Sequence, residues 1–209
     1  MKLKTKDLIK IVAGIFVVSV LVIVLSHSFL EGYGFNLNFS ISRYIGLEHW
    51  SAFFFFFCNL LNGCLLAQIF LSLGKKWKMN LLWKIAVFAV LLGLIVLSAC
   101  PVGLFDETWG DFGTVSVLHR TFASVMFVSS LVVTALTLPK VKDKKFILSG
   151  LAFIIYGVIF VICFKLEVEW FMNIFLPLEA LFLGWFVFLI GFLEKLSREK
   201  KSQVAEEKN

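Results

Sequence analysis

Six stretches of nearly unbroken apolar character divide the chain, over residues 11–30, 48–73, 81–99, 118–138, 146–164 and 170–193. Each approaches or exceeds the roughly 20 residues a helix needs to cross a bilayer. A helix satisfies its own backbone polar groups, which hydrocarbon demands. The pattern therefore predicts an all-α fold: a polytopic bundle of six transmembrane helices forming one membrane domain over 11–193. A short basic segment, 1–10, precedes it. A charged tail, 194–209, follows; it is expected to be mostly disordered, with first turns that can continue the last helix. Basic start and apolar run together resemble a signal peptide, but no A-x-A-like cleavage site follows the run, so it reads as a retained first span. Between the first two spans, Phe35, Leu37, Phe39 and Ile41 alternate with Asn36, Asn38 and Ser40. That period of two predicts either a strand or an amphipathic segment on the membrane surface.

Composition sharpens the solvent. Of 209 residues, 60% are hydrophobic and 25 are Phe, with a mean hydropathy of +0.93; soluble domains run about 45–50% apolar. The net charge of +6 is not a nucleic-acid stripe, because the basic residues punctuate span ends instead of forming a patch. With both termini cytoplasmic, every Lys and Arg except Arg43, Arg120 and Lys165 falls on the inner side. The expected setting is a bacterial-type plasma membrane, with membrane lipids as partners and no nucleic acid. The four cysteines form no CxxC, which removes the usual zinc and thioredoxin-like patterns. Cys100 and Cys163 fall near outer span ends, where either a disulfide or two unbridged thiols is consistent.

Candidate chemistry begins with Glu179, near the middle of the last apolar run and two residues after Pro177. A carboxylate at that depth costs about 3 kcal/mol on insertion scales. It must face a protein interior, find a partner or lose its charge. Pro177 would leave the Asn173 carbonyl without its helix donor, and a loosened turn beside an acid is one way transporters build ion or proton sites. The plainer reading is a packing contact with a neighbouring helix. Asn59 and Asn62 share one face of the second span, Ser130, Thr134 and Thr137 one face of the fourth, and Tyr156 lies mid-depth on the fifth. These either line a small polar cavity with Glu179 or act as interhelical glue at under about 2 kcal/mol each.

Toward the outer rim come His27, His49 and His119, with Arg120 and the acids Glu48, Asp106, Asp111, Glu167 and Glu169. Histidine and carboxylate suit a metal, but no H-E-x-x-H or comparable spacing occurs, and interfacial hydrogen bonding explains them equally. No metal or cofactor is assigned, and no P-loop, Rossmann or nucleophile-elbow pattern appears. Ala180, Gly184 and Gly191 predict close helix packing on the last span. The heptads Leu47–Phe53 and Val117–Ala123 look faintly duplicated, with His49 matching His119.

The stretches SISRYIGLEHWSAFFFFFCN (Ser40 to Asn59), CPVGLFD (Cys100 to Asp106) and LHRTFA (Leu118 to Ala123) resemble a prokaryotic six-span membrane family known as domain of unknown function 998. More distantly they are similar to the DRAM-type autophagy modulators of eukaryotes. The first likeness implies six spans and no established activity; the second implies a role in membrane stress or lipid distribution. The expected function is thus a non-enzymatic multi-pass protein acting on or within the lipid phase, with a small molecule or lipid as possible ligand. One alternative is a small proton-coupled carrier using Glu179. The other is a metal or redox enzyme at the outer face.

Overall fold

The computed structural model describes residues 5–30, 34–37, 39, 41, 44, 47, 49–99 and 112–206, apart from the side chains of 30, 112–116 and 200–206. These residues form helices and turns, with no strand among them. The elements are α1 (Thr5–Leu25), ending in a π-helical turn (Ser26–Leu30), α2 (His49–Lys76), α3 (Leu81–Ala99), α4 (Phe112–Thr137) with a 3₁₀ turn (Leu138–Lys140), α5 (Lys144–Lys165), the single turn α6 (Glu169–Met172) and α7 (Phe175–Glu206). Six of them, all but α6, are long and apolar enough to cross a membrane.

Each long helix packs on the next in sequence, and α7 returns to pack on α1, so the six close into a ring. Large apolar side chains point away from it all round, among them Phe53, Leu71, Phe88, Leu148 and Ile155. Water would not tolerate an apolar surface that extensive on a monomer; lipid does. Short turns set the antiparallel neighbours. At the end of α2, Lys78 takes a left-handed φ of 50°, and the Met79 and Lys78 amides donate back to the Gly74 and Lys75 carbonyls. This is a Schellman closure. Glu167 repeats it after α5, with φ 49° and the Val168 amide donating to the Cys163 carbonyl. Asn80 and Asp143 accept from the Trp83 and Phe146 amides, starting α3 and α5.

The ring is not filled evenly. Between α4, α5 and α7 lies a ladder of aromatic rings: Phe127, Phe153, Phe160 and Phe182 sit with centroids 4.9–5.3 Å apart in successive pairs. Edge-on and tilted pairs at such spacings are the favoured aromatic geometry. On the other side of the bundle, α3 meets α4 at Gly93, where a Cβ would stand 2.8 Å from the Met126 Cβ and 3.3 Å from the Phe122 carbonyl oxygen.

Three expectations change. The last crossing does not start at Trp170: the chain turns at Glu169–Met172 and α7 begins at Phe175. Pro177 thus occupies the first turn, where amides lack helix partners anyway, and no helix bond to Asn173 is lost. Among the described residues of 34–47 there is no strand, and Ile41 and Tyr44 are helical. Ile41 and Tyr44 are buried against Ile23, Val24, Ala52, Phe55 and Leu176. The Leu37 carbonyl accepts from the Leu176 amide, one of the orphan donors at the start of α7, at 3.1 Å. Leu37, Ile41 and Tyr44 therefore sit at the mouth of the ring. Finally, Gly184 has no neighbour within 4 Å of a built Cβ, and Gly191 meets only Ile9, at 3.5 Å; the close approaches are at Gly93, Gly150 and Gly157 instead.

Candidate functional site

Beside the aromatic ladder, sharing Phe127 with it, the helices leave a cavity of about 110 Å³. Its walls come from α1, α2, α3, α4 and α7, with Ile41 at the mouth. On α7 the lining residues are Glu179, Leu183, Phe186, Val187 and Ile190, one helical face. At 1.5 Å rise per residue this stripe is about 16 Å long. Phe55, Asn59, Asn62 and Leu66 on α2 span the same length. The space is a slot along the bundle axis, mostly apolar and polar in patches.

Glu179 lies in the second turn of α7, yet it is deep. Phe186 meets Phe70 of α2 at 6.4 Å between ring centroids. Going back seven residues on both helices, about 10 Å, sets Glu179 level with Gly63, next to Asn62 and midway along α2. The acid reaches this depth because α7 starts inside the ring, beneath the 34–47 segment. Its Oε2 accepts from the Ile41 amide at 2.7 Å, and among the described residues no Lys or Arg pairs with it.

The structure brings Asn59, Asn62, Ser130 and His119 to this same cavity. The Asn59 Nδ2 donates to Ser98 Oγ at 2.7 Å, and Ser98 donates to the Leu94 carbonyl at 2.7 Å. Ser130 donates to the Met126 carbonyl of its own helix at 2.8 Å. Both asparagines are essentially enclosed, at 1% and 2% exposure. The Oδ1 atoms of both have no hydrogen-bond partner. A buried acceptor left unmatched costs about 1–3 kcal/mol, so this wall holds two polar atoms that the protein itself does not satisfy.

Other predicted residues fall elsewhere. Tyr156 does not line the cavity: its hydroxyl donates to the Leu178 carbonyl at 2.7 Å and its ring stacks on Trp185, 6.0 Å away. It ties α5 to α7. Thr134 and Thr137 back-bond to α4, and Thr137 also accepts from the Trp83 indole at 3.1 Å, joining α3 to α4. His49 is exposed at the first residue of α2, whereas His119 is buried seven residues into α4; the similar heptads do not place their histidines alike. His27 is fully buried, its ring 5.4 Å from that of Trp50. Arg120 and Glu167 form an exposed ion pair at 3.1 Å. Asp106, Asp111, Glu48 and Cys100 lie outside the described residues; Cys163 carries a free thiol. Among the described residues no three His, Cys, Asp or Glu side chains converge.

Two features escape sequence reasoning. Ser98 was legible as the lone hydroxyl of the third span, but the Ile41 amide carries no sequence signal. At the basic end, Glu194 is buried at 3% exposure, where Lys76 Nζ meets its Oε2 at 2.6 Å and Ser197 donates to it at 3.1 Å. It sits in a charge-dense stretch that reads as solvated tail. No family model, curated protein or solved structure matches the chain, so the meaning of the cavity rests on its own geometry.

Proposed function

We propose that this chain is a non-enzymatic, multi-pass protein of the plasma membrane that holds a small amphipathic molecule, taken from the lipid phase, inside its helix ring. The supporting observation is the cavity: a slot with apolar walls at bilayer depth that carries a carboxylate and two unmatched amide oxygens. Ligand sites have this character, apolar walls with a few convergent polar groups. In this reading the basic end faces the cytoplasm, and the mouth beneath 34–47 opens toward the outer leaflet. The lipid-related role implied by the DRAM-type resemblance agrees with it as analogy only. Filling the slot tests the reading. Solvent extraction and mass spectrometry of the purified protein should find a bound small molecule that the Asn62→Phe variant, folded by circular dichroism, has lost. Identical extracts from both proteins would reject it.

A second reading, a proton-coupled carrier, is favoured by one contact. The carboxylate facing the cavity also holds the segment that caps it, through the Ile41 amide. A change of charge at Glu179 would then be felt by the cap. In proteoliposomes a carrier of this kind should lose pH-driven flux of the extracted molecule in Glu179→Gln. Unchanged flux removes Glu179 from such a mechanism.

A further inference from the structure

We infer that the cavity selects an organic cation: a protonated amine with a compact apolar body. This rests on the cavity being a binding site, as proposed above, and names the chemistry it takes.

The inference comes from counting which hydrogen-bonding groups remain available. Most donors on the wall are spent within the protein; the Asn62 amide nitrogen, which has no partner among the described residues, is the exception. The Ser98 and Ser130 hydroxyls donate to backbone carbonyls, and the Asn59 amide nitrogen donates to Ser98. The acceptors are not spent. Asn59 and Asn62 each hold a buried Oδ1 without a partner in the wall, and Glu179, which lines the cavity, uses only Oε2, toward the Ile41 amide. A ligand that satisfies the Glu179 carboxylate must donate hydrogen bonds, and one that carries positive charge also supplies the counter-ion that no described Lys or Arg provides. Buried charges are normally paired, and charge-assisted hydrogen bonds are about twice as strong as neutral ones. A ligand carboxylate or phosphate would meet the opposite: like charge and lone pairs. His119 is the other titratable side chain on the wall.

The remaining walls suit the rest of such a molecule. Phe16, Phe55, Phe127 and Phe186 border the space, and aromatic faces attract cations as well as alkyl groups. A volume of about 110 Å³, set against the roughly 10–15 Å³ that one water needs on the same kind of measure, accommodates about seven to eleven heavy atoms. An alkylamine of that size fits along the slot with its ammonium toward Glu179 and the asparagines.

The test uses the full chain in nanodiscs of phosphatidylcholine, with radiolabelled n-octylamine as probe, empty nanodiscs subtracted, and octan-1-ol and octanoate as competitors. We expect saturable octylamine binding, octanol at least about tenfold weaker and no competition by octanoate. Glu179→Gln keeps an oxygen for the Ile41 amide but removes the charge and turns a donor into the cavity. It should weaken octylamine at least about tenfold and octanol by much less. Asn62→Leu, which removes an acceptor without touching Glu179, should weaken octylamine more than octanol; it provides the decision if Glu179→Gln does not fold. Equal binding of all three probes, or tighter binding of octanoate, overturns the cation assignment while leaving the cavity a binding site. Saturable binding by none of them overturns both.

Discussion

Replacing Gly93 by Ala tests how the two most closely packed helices meet. The added Cβ would stand 2.8 Å from the Met126 Cβ, 3.3 Å from the Phe122 carbonyl oxygen and 3.4 Å from the Met126 Cα. Carbon atoms pack best at about 3.5–4.0 Å, so α3 and α4 must move apart by about 0.7–1.2 Å. Two of the three obstructing atoms belong to backbone, so no rotamer change can absorb the clash. Overpacking of this kind costs about 1–3 kcal/mol. Ala is also a better helix residue than Gly by up to about 1 kcal/mol, which offsets part of the cost. The control is Gly184→Ala, which carries the same propensity gain and meets nothing within 4 Å. Subtracting the two isolates the steric term. At about 2–4 °C per kcal/mol for a chain of this size, Gly93→Ala should unfold about 2–12 °C below Gly184→Ala, followed by tryptophan fluorescence in detergent. Equal or higher stability for Gly93→Ala would show that the helices do not approach as described. The displacement also moves Met126, which lines the cavity, so octylamine binding should weaken in the same variant.

At the basic end, Lys76→Met should destabilise by up to about 3 kcal/mol, because it removes the nearer of the two cations beside a buried carboxylate, leaving Arg198 at 4.0 Å; Lys76→Met with Glu194→Leu should recover most of that loss, and a double-mutant cycle on thermal midpoints that shows no recovery would refute the pairing. Tyr156→Phe removes the bond to the Leu178 carbonyl and should cost about 1 kcal/mol. It should leave ligand binding unchanged, since Tyr156 is not on the cavity wall; a binding loss as large as that of Glu179→Gln would contradict that placement.

The number of crossings, their helical nature and most of their ends were legible in the linear order, because the solvent enforces them. A run of about 20 apolar residues has few ways to satisfy its amides in hydrocarbon, and lysines cannot follow it inside. Glu179, Asn59 and Asn62 were legible for the same reason: polar atoms at that depth are costly and therefore conspicuous. What the chain order could not convey is which polar atoms meet. Asn62 and Tyr156 look equally suited to a cavity as letters, yet one lines the cavity with a buried, unmatched oxygen and the other is consumed by a carbonyl of α7. His49 and His119 occupy matching places in similar heptads, and only where α2 and α4 begin separates an exposed ring from a buried one. The 34–47 segment alternates like a strand, but its role comes from the late start of α7, whose orphan amide it covers and whose acid it binds. Solvent acts on each residue separately and so can be read one residue at a time; pairing depends on the depth and rotation of whole helices against one another, which only the closed ring decides.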